Sequence, residues 1–135
     1  MKKIPKIENS LALRTDFSNE AAWQEVCEAI KSPDNDFETH LDFVSDLEYT
    51  GVGPEQLTSI LSNDYAFTFA FIIDAATISS PEHPILVIDL HDEPGRTFRV
   101  IPSAISAVEN NLSICNMDFA EFADAVDEDG IYRGV

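Results

Sequence analysis

The stretch Phe67 to Asp74 constrains the fold more than any other part of the chain. Phe67, Phe69, Phe71, Ile72 and Ile73 are aromatic or β-branched and nearly unbroken. Such side chains suit a pleated, extended backbone. A continuous rather than alternating run predicts a strand buried on both faces, in the middle of a sheet. Ile85 to Leu90 is the second run of this kind. A Pro94-Gly95 turn then leads into Thr97 to Ile101, which predicts a hairpin with a loop of about five residues.

Helical signals surround these strands. Trp23, Val26, Cys27 and Ile30 recur on one face of a helix over residues 19–31, with Asp16 and Ser18 as candidate N-caps. Ser32-Pro33-Asp34-Asn35-Asp36 stops it in a loop. Gly53-Pro54 opens a second helix with the stripe Leu57, Ile60 and Leu61. Pro102 starts a third with Ala104, Ile105 and Val108 inward, and Asn110-Asn111 reads as its left-handed C-cap. Asp118 and Glu121 make a capping pair for a last helix bearing Phe119, Phe122, Ala123 and Val126. Short strands are expected at Leu11 to Arg14, Leu41 to Val44 and Leu112 to Cys115. Asp129-Gly130 turns into the closing segment Ile131 to Val135.

Together these predict an α/β domain, with α+β as the alternative. It has a mixed sheet of about five or six strands and about four helices packed on it. At 135 residues one core is expected, with residues 10–135 as the domain and residues 1–9 as a flexible basic lead-in.

Charge narrows the partners. Twenty-five acidic residues face eight Lys and Arg, for a formal net charge of −17, and three of those bases (Lys2, Lys3, Lys6) lie in the lead-in. Such a surface repels phosphate backbones and anionic membranes, so neither nucleic acid nor a membrane is an expected partner. It attracts a basic protein and speeds that encounter. Cys27 and Cys115 have no paired spacing and read as buried thiols in a reducing compartment. No apolar run is long enough for a signal peptide or a membrane span, so a cytoplasmic location is expected. Phe-rich strands and a short sheet edge also leave a two-fold homodimer open.

Familiar catalytic patterns are missing. There is no Walker loop, no G-x-G-x-x-G, no G-x-S-x-G and only five glycines. No cofactor is implied. Asp127-Glu128-Asp129-Gly130 starts like a calcium loop but lacks the later bidentate Glu, and Asp34-Asn35-Asp36 lacks the glycine such a loop needs. Two constellations carry chemistry. If the strand continues past Asp89, then Asp89, His91 and Glu93 share a face suited to a divalent cation. Arg14, Asp16, Asp74, Asp89 and Arg133 fall at or near strand ends, and Arg99 sits mid-strand. If those strands are parallel neighbours, these residues converge at one sheet edge, as a ligand site or as an ion-pair network.

Several stretches are familiar in combination. They are Leu13-Arg14-Thr15-Asp16-Phe17, Val87-Ile88-Asp89-Leu90, Thr97-Phe98-Arg99-Val100-Ile101-Pro102-Ser103, Asn110-Asn111-Leu112-Ser113-Ile114, Asn116-Met117-Asp118-Phe119 and Asp129-Gly130-Ile131-Tyr132-Arg133-Gly134. The chain resembles a bacterial family known as a domain of unknown function, over nearly its whole length after the lead-in. The resemblance implies a small stand-alone bacterial protein and assigns no catalytic residues. Charge, size and the missing catalytic patterns favour a non-enzymatic interaction module, in one version immunity-like against a basic toxin. The alternative is a small-molecule or metal-binding domain, or a small hydrolase, built on the Arg and Asp residues.

Overall fold

The computed structural model describes residues 2–31 and 40–134. Its strands are β1 (Ser10–Arg14), β2 (Leu41–Ser45), β3 (Phe69–Ile73), β4 (Ile85–Asp89), β5 (Thr97–Val100) and β6 (Ile131–Tyr132). Its helices are α1 (Glu20–Ile30), α2 (Pro54–Ile60), α3 (Ala75–Ser79), α4 (Ile105–Ser113) and α5 (Phe119–Ala123). Single 3-10 turns stand at Leu47–Tyr49 and Pro102–Ala104. No helix among the described residues is long and apolar enough to cross a membrane.

The strands form one six-stranded sheet in the order β2-β1-β3-β4-β5-β6. Every pairing is parallel except the two that β4 makes. The domain is therefore α/β with a mixed sheet, as the pattern of runs predicts. β4 reverses because the five-residue helix α3 is too short to carry the chain back for a parallel crossover. β3, the apolar run, is central and buried at every position.

The two faces of the sheet are covered unequally. On one face, Phe69, Phe71, Ile73, Val87, Phe98 and Val100 pack against Trp23 and Val26 of α1, Ile105 and Val108 of α4, and Phe119 and Phe122 of α5. On the other, Leu11, Leu13, Ala70, Ile72 and Ile88 meet Leu57 and Ile60 of α2, with Tyr49 and Val52. Residues 2–9 run along that second face. Ile4 is buried and donates its N–H to the Ile60 carbonyl at 2.8 Å, while the Tyr49 hydroxyl donates to the Lys3 carbonyl at 2.9 Å.

Four local expectations are corrected. The N-cap of α1 is Asn19, which accepts from the Ala22 N–H, because Asp16 and Ser18 are engaged with each other. Asn110 and Asn111 do not end α4: their amides donate back to the Ser106 and Ala107 carbonyls, and the helix runs on to Ser113. Leu112 to Cys115 is accordingly no strand. Leu112 continues the buried stripe, and Cys115, at φ 56°, supplies the left-handed residue beyond the helix. Cys115 is exposed rather than buried, and Cys27 is half-buried. The loop expected at Ser32 to Asp36 lies outside the described residues.

A buried carboxylate joins three of these elements. Glu109 of α4 accepts from the Ser10 hydroxyl at 3.1 Å, from the Ser113 hydroxyl and from the His40 N–H at 3.3 Å. That ties the starts of β1 and β2 to α4.

Candidate functional site

The carboxyl ends of β1, β2, β3, β5 and β6 share one edge of the sheet, since all five run parallel and only β4 opposes them. This edge receives five of the six residues that the sequence places at a shared site.

Arg14 ends β1 on the α1 face, two residues beyond Ala12. Its guanidinium lies 4.4 Å from the Phe17 ring centre and 4.6 Å from that of Trp23. It donates to Glu20 Oε2 at 2.7 Å, to Ser45 Oγ at 3.3 Å and to the Asp16 carbonyl at 3.2 Å. Stacking and charge pairing suit the planar guanidinium better than they would a lysine. The same contact holds the Glu20 carboxyl below its ordinary pKa.

Arg99 alternates with the inward-facing Phe98 and Val100, so it points to the α2 face. It crosses Leu86 of β4 and grips Asp74 bidentately, at 2.9 and 2.8 Å. It also donates to the Pro84 carbonyl at 3.1 Å. Asp74 stands where β3 gives way to α3, and it accepts from the Thr77 N–H at 3.1 Å as the N-cap. Burial pushes the Asp74 carboxyl up, but the hydrogen bonds and charge of Arg99, with Thr77, outweigh it and leave the pKa below the usual value.

Arg133 follows β6 and forks between three acids. It reaches Glu82 at 2.8 and 2.9 Å, Asp127 at 2.7 Å and Asp129 at 2.7 and 3.1 Å. Glu82, then Asp129 and Asp127, raise its pKa further above an already high value. The residues that resemble a calcium loop are thus spent on a guanidinium.

Asp89 is the exception. β4 runs against β3, and Asp89 pairs with Phe69 at the amino end of β3, the opposite edge from Asp74. Its carboxylate is 2% exposed and accepts three backbone N–H groups: His91 at 2.9 Å, Asp92 at 3.2 Å and Glu93 at 2.8 Å. The strand stops at Asp89, so Asp89, His91 and Glu93 do not share a strand face. The His91 ring bonds Asp92, and Glu93 pairs with Arg96 at 2.9 Å. Among the described residues no group of three or more His, Cys, Asp or Glu side chains is arranged to hold a metal ion. Asp34-Asn35-Asp36 lies outside those residues.

Between the ends of β1 and β3 lies a crevice of about 360 Å³. Thr15 and Asp16 line it from β1, Asp74 and Ala75 from β3, and Thr50 to Gly53 from the loop ahead of α2. Thr15 extends the strand by one rung, its N–H donating to the Ile73 carbonyl at 3.0 Å. Gly51 closes the far side, donating to the Thr15 carbonyl at 2.9 Å with φ +78°, a conformation that suits glycine. Sequence reasoning finds Asp16 and Asp74 but misses Thr15 and the Thr50 to Gly53 loop. The available signal is a Thr-Asp pair directly after a strand.

Comparison with known proteins finds one family. The sequence profile of DUF6924, a domain of unknown function, matches residues 9–135. No curated protein matches the chain.

Proposed function

The chain belongs to the DUF6924 family, and we propose that it is a non-enzymatic binding module for a basic protein, working in the bacterial cytoplasm. The fate of the arginines carries this reading. Arg14, Arg96, Arg99 and Arg133 each pair with the chain's own carboxylates. Of the lysines, Lys2 pairs with Asp46 and Lys31 lies 5.2 Å from the Phe43 ring centre. All four arginines are thus spent on the chain's own acids, and the excess of acid behind the −17 charge remains. A field of one sign raises the association rate of an oppositely charged partner and makes the encounter sensitive to salt. An immunity-like role against a basic toxin is the most specific form of the proposal.

The test is capture of partners from the native host, followed by titration of the purified pair at ~50 and ~300 mM salt, either side of physiological screening. We expect one basic protein at stoichiometric level, with an association rate that falls steeply as salt rises. A mixture of many basic proteins below stoichiometry, or a partner whose binding ignores salt, overturns the proposal. A small-molecule role is the second reading, favoured by the crevice between β1 and β3.

A further inference from the structure

β1 and β3 are neighbours whose chains leave in opposite directions, β1 toward α1 and β2, β3 toward α3 and β4. Loops part at such a point, and open α/β sheets bind ligands in the gap. The crevice of about 360 Å³ at this point opens widely to solvent.

The amide donors of its wall are mostly engaged. Thr15 N–H goes to Ile73, Gly51 to Thr15, Val52 to Tyr49, Gly53 to the Gln56 side chain and Asp74 to Thr77. Pro54, next in line, has no N–H. The N–H groups of Asp16 and Ala75 make no such bond, so donors remain beside the oxygens. Thr15 lines the crevice, and its hydroxyl has no hydrogen-bond partner among the described residues; no buried side-chain oxygen there lacks a partner, so this hydroxyl opens onto solvent. The Asp16 carboxylate receives only the Ser18 N–H at 3.3 Å and hydroxyl at 2.9 Å, and pairs with no cation among the described residues. The nearby Arg14 takes Glu20, and Arg99 neutralises Asp74. One uncompensated carboxylate favours a compact positive donor over phosphate.

We infer that the crevice between β1 and β3 binds the ammonium or guanidinium group of an organic cation, with Asp16 as its counter-charge and the Thr15 hydroxyl as a hydrogen-bond acceptor. The group arrives on a free small molecule or on a Lys or Arg side chain. Only the second source rests on the basic-partner reading.

The experiment is an amide NMR titration of the full chain with methylguanidinium, n-butylammonium and inorganic phosphate, at ~0.15 M salt to screen diffuse attraction. Saturable shifts at Thr15, Asp16, Gly51 and Ala75 with both cations, and none with phosphate, are expected. Asp16→Asn, which keeps the turn to Ser18, weakens the cations by about tenfold, the size of one charge-assisted hydrogen bond. Thr15→Val weakens them while leaving the unfolding midpoint near that of the parent. Shifts spread over the acidic surface without saturation, equal affinity in Asp16→Asn, or binding of phosphate overturn the inference. An acetyl-Gly-Arg-Gly-amide peptide separates the sources. Tighter binding than methylguanidinium supports a protein side chain, and exclusion of the peptide while the small cations bind supports a free molecule. A chain that binds the cations but captures no basic protein keeps this inference and overturns the partner reading.

Discussion

Asp74 and Asp89 end neighbouring strands, follow similar apolar runs and look interchangeable in sequence, yet they do different work. Asp74 faces Arg99 across the sheet and caps α3. Its charge is matched by a charge, and the pair stays about a quarter exposed. Asp89 meets no cation among the described residues: it is buried and held by three N–H groups of the hairpin loop that follows it. One carboxylate joins distant strands, and the other organises its own turn. Only the direction of β4 separates them. A buried carboxylate is stabilised by donors aimed at it, whether or not those donors carry charge.

The largest expected effect is at Asp89. Asp89→Ala removes the buried acceptor of three backbone N–H groups of the loop and lowers stability by roughly 3 kcal/mol in urea unfolding. A loss smaller than that of Asp74→Ala breaks the distinction. Asp74→Asn comes next, at about 1–2 kcal/mol, because the pair is partly screened by solvent. It also carries a pH signature. The folded Asp74 pKa lies below the unfolded value, so its contribution is full above the unfolded pKa of about 3.9 and is lost as pH falls through the folded pKa. The parent therefore loses stability on acidification below about pH 4 more steeply than Asp74→Asn, and equal slopes in the two proteins remove Asp74 as the source. Arg133→Gln is expected to be the mildest. Its partners are exposed acids at the surface. The fall in melting temperature should be smaller than for Asp74→Asn and should shrink further at ~1 M salt, where surface pairs are screened. A salt-independent loss places Arg133 among the buried ties instead.

The strands and helices with strong local signals were legible in the sequence. The Phe67 to Asp74 run, the Pro94-Gly95 hairpin, Pro54 at the start of α2 and the Asp118/Glu121 pair all act through neighbours in the chain, and each appears where the pattern puts it. α4 was misread at its end because Asn110 and Asn111 bond within the helix as readily as they cap it, and only the burial of Leu112 decides between the two. The short α3 escaped because the dominant signal around it was the strand ahead of it. The packing of residues 2–9 depends on Ile60 and Tyr49, some fifty residues away, which leaves no local signal for it.

The site follows the same division. That Arg14, Arg99 and Arg133 would be engaged with acids such as Asp74 could be argued from an acid-rich chain with four arginines. Which acids they take, and that Asp89 stands apart, depends on strand order and on the reversal of β4. Periodicity records burial and turns, which are local, and so the sequence by itself determined an acidic α/β domain with a central apolar strand. Strand direction, the Asp74–Arg99 pair and the Thr15-lined crevice were decided by tertiary structure alone, because each requires groups far apart in the chain to meet in one register.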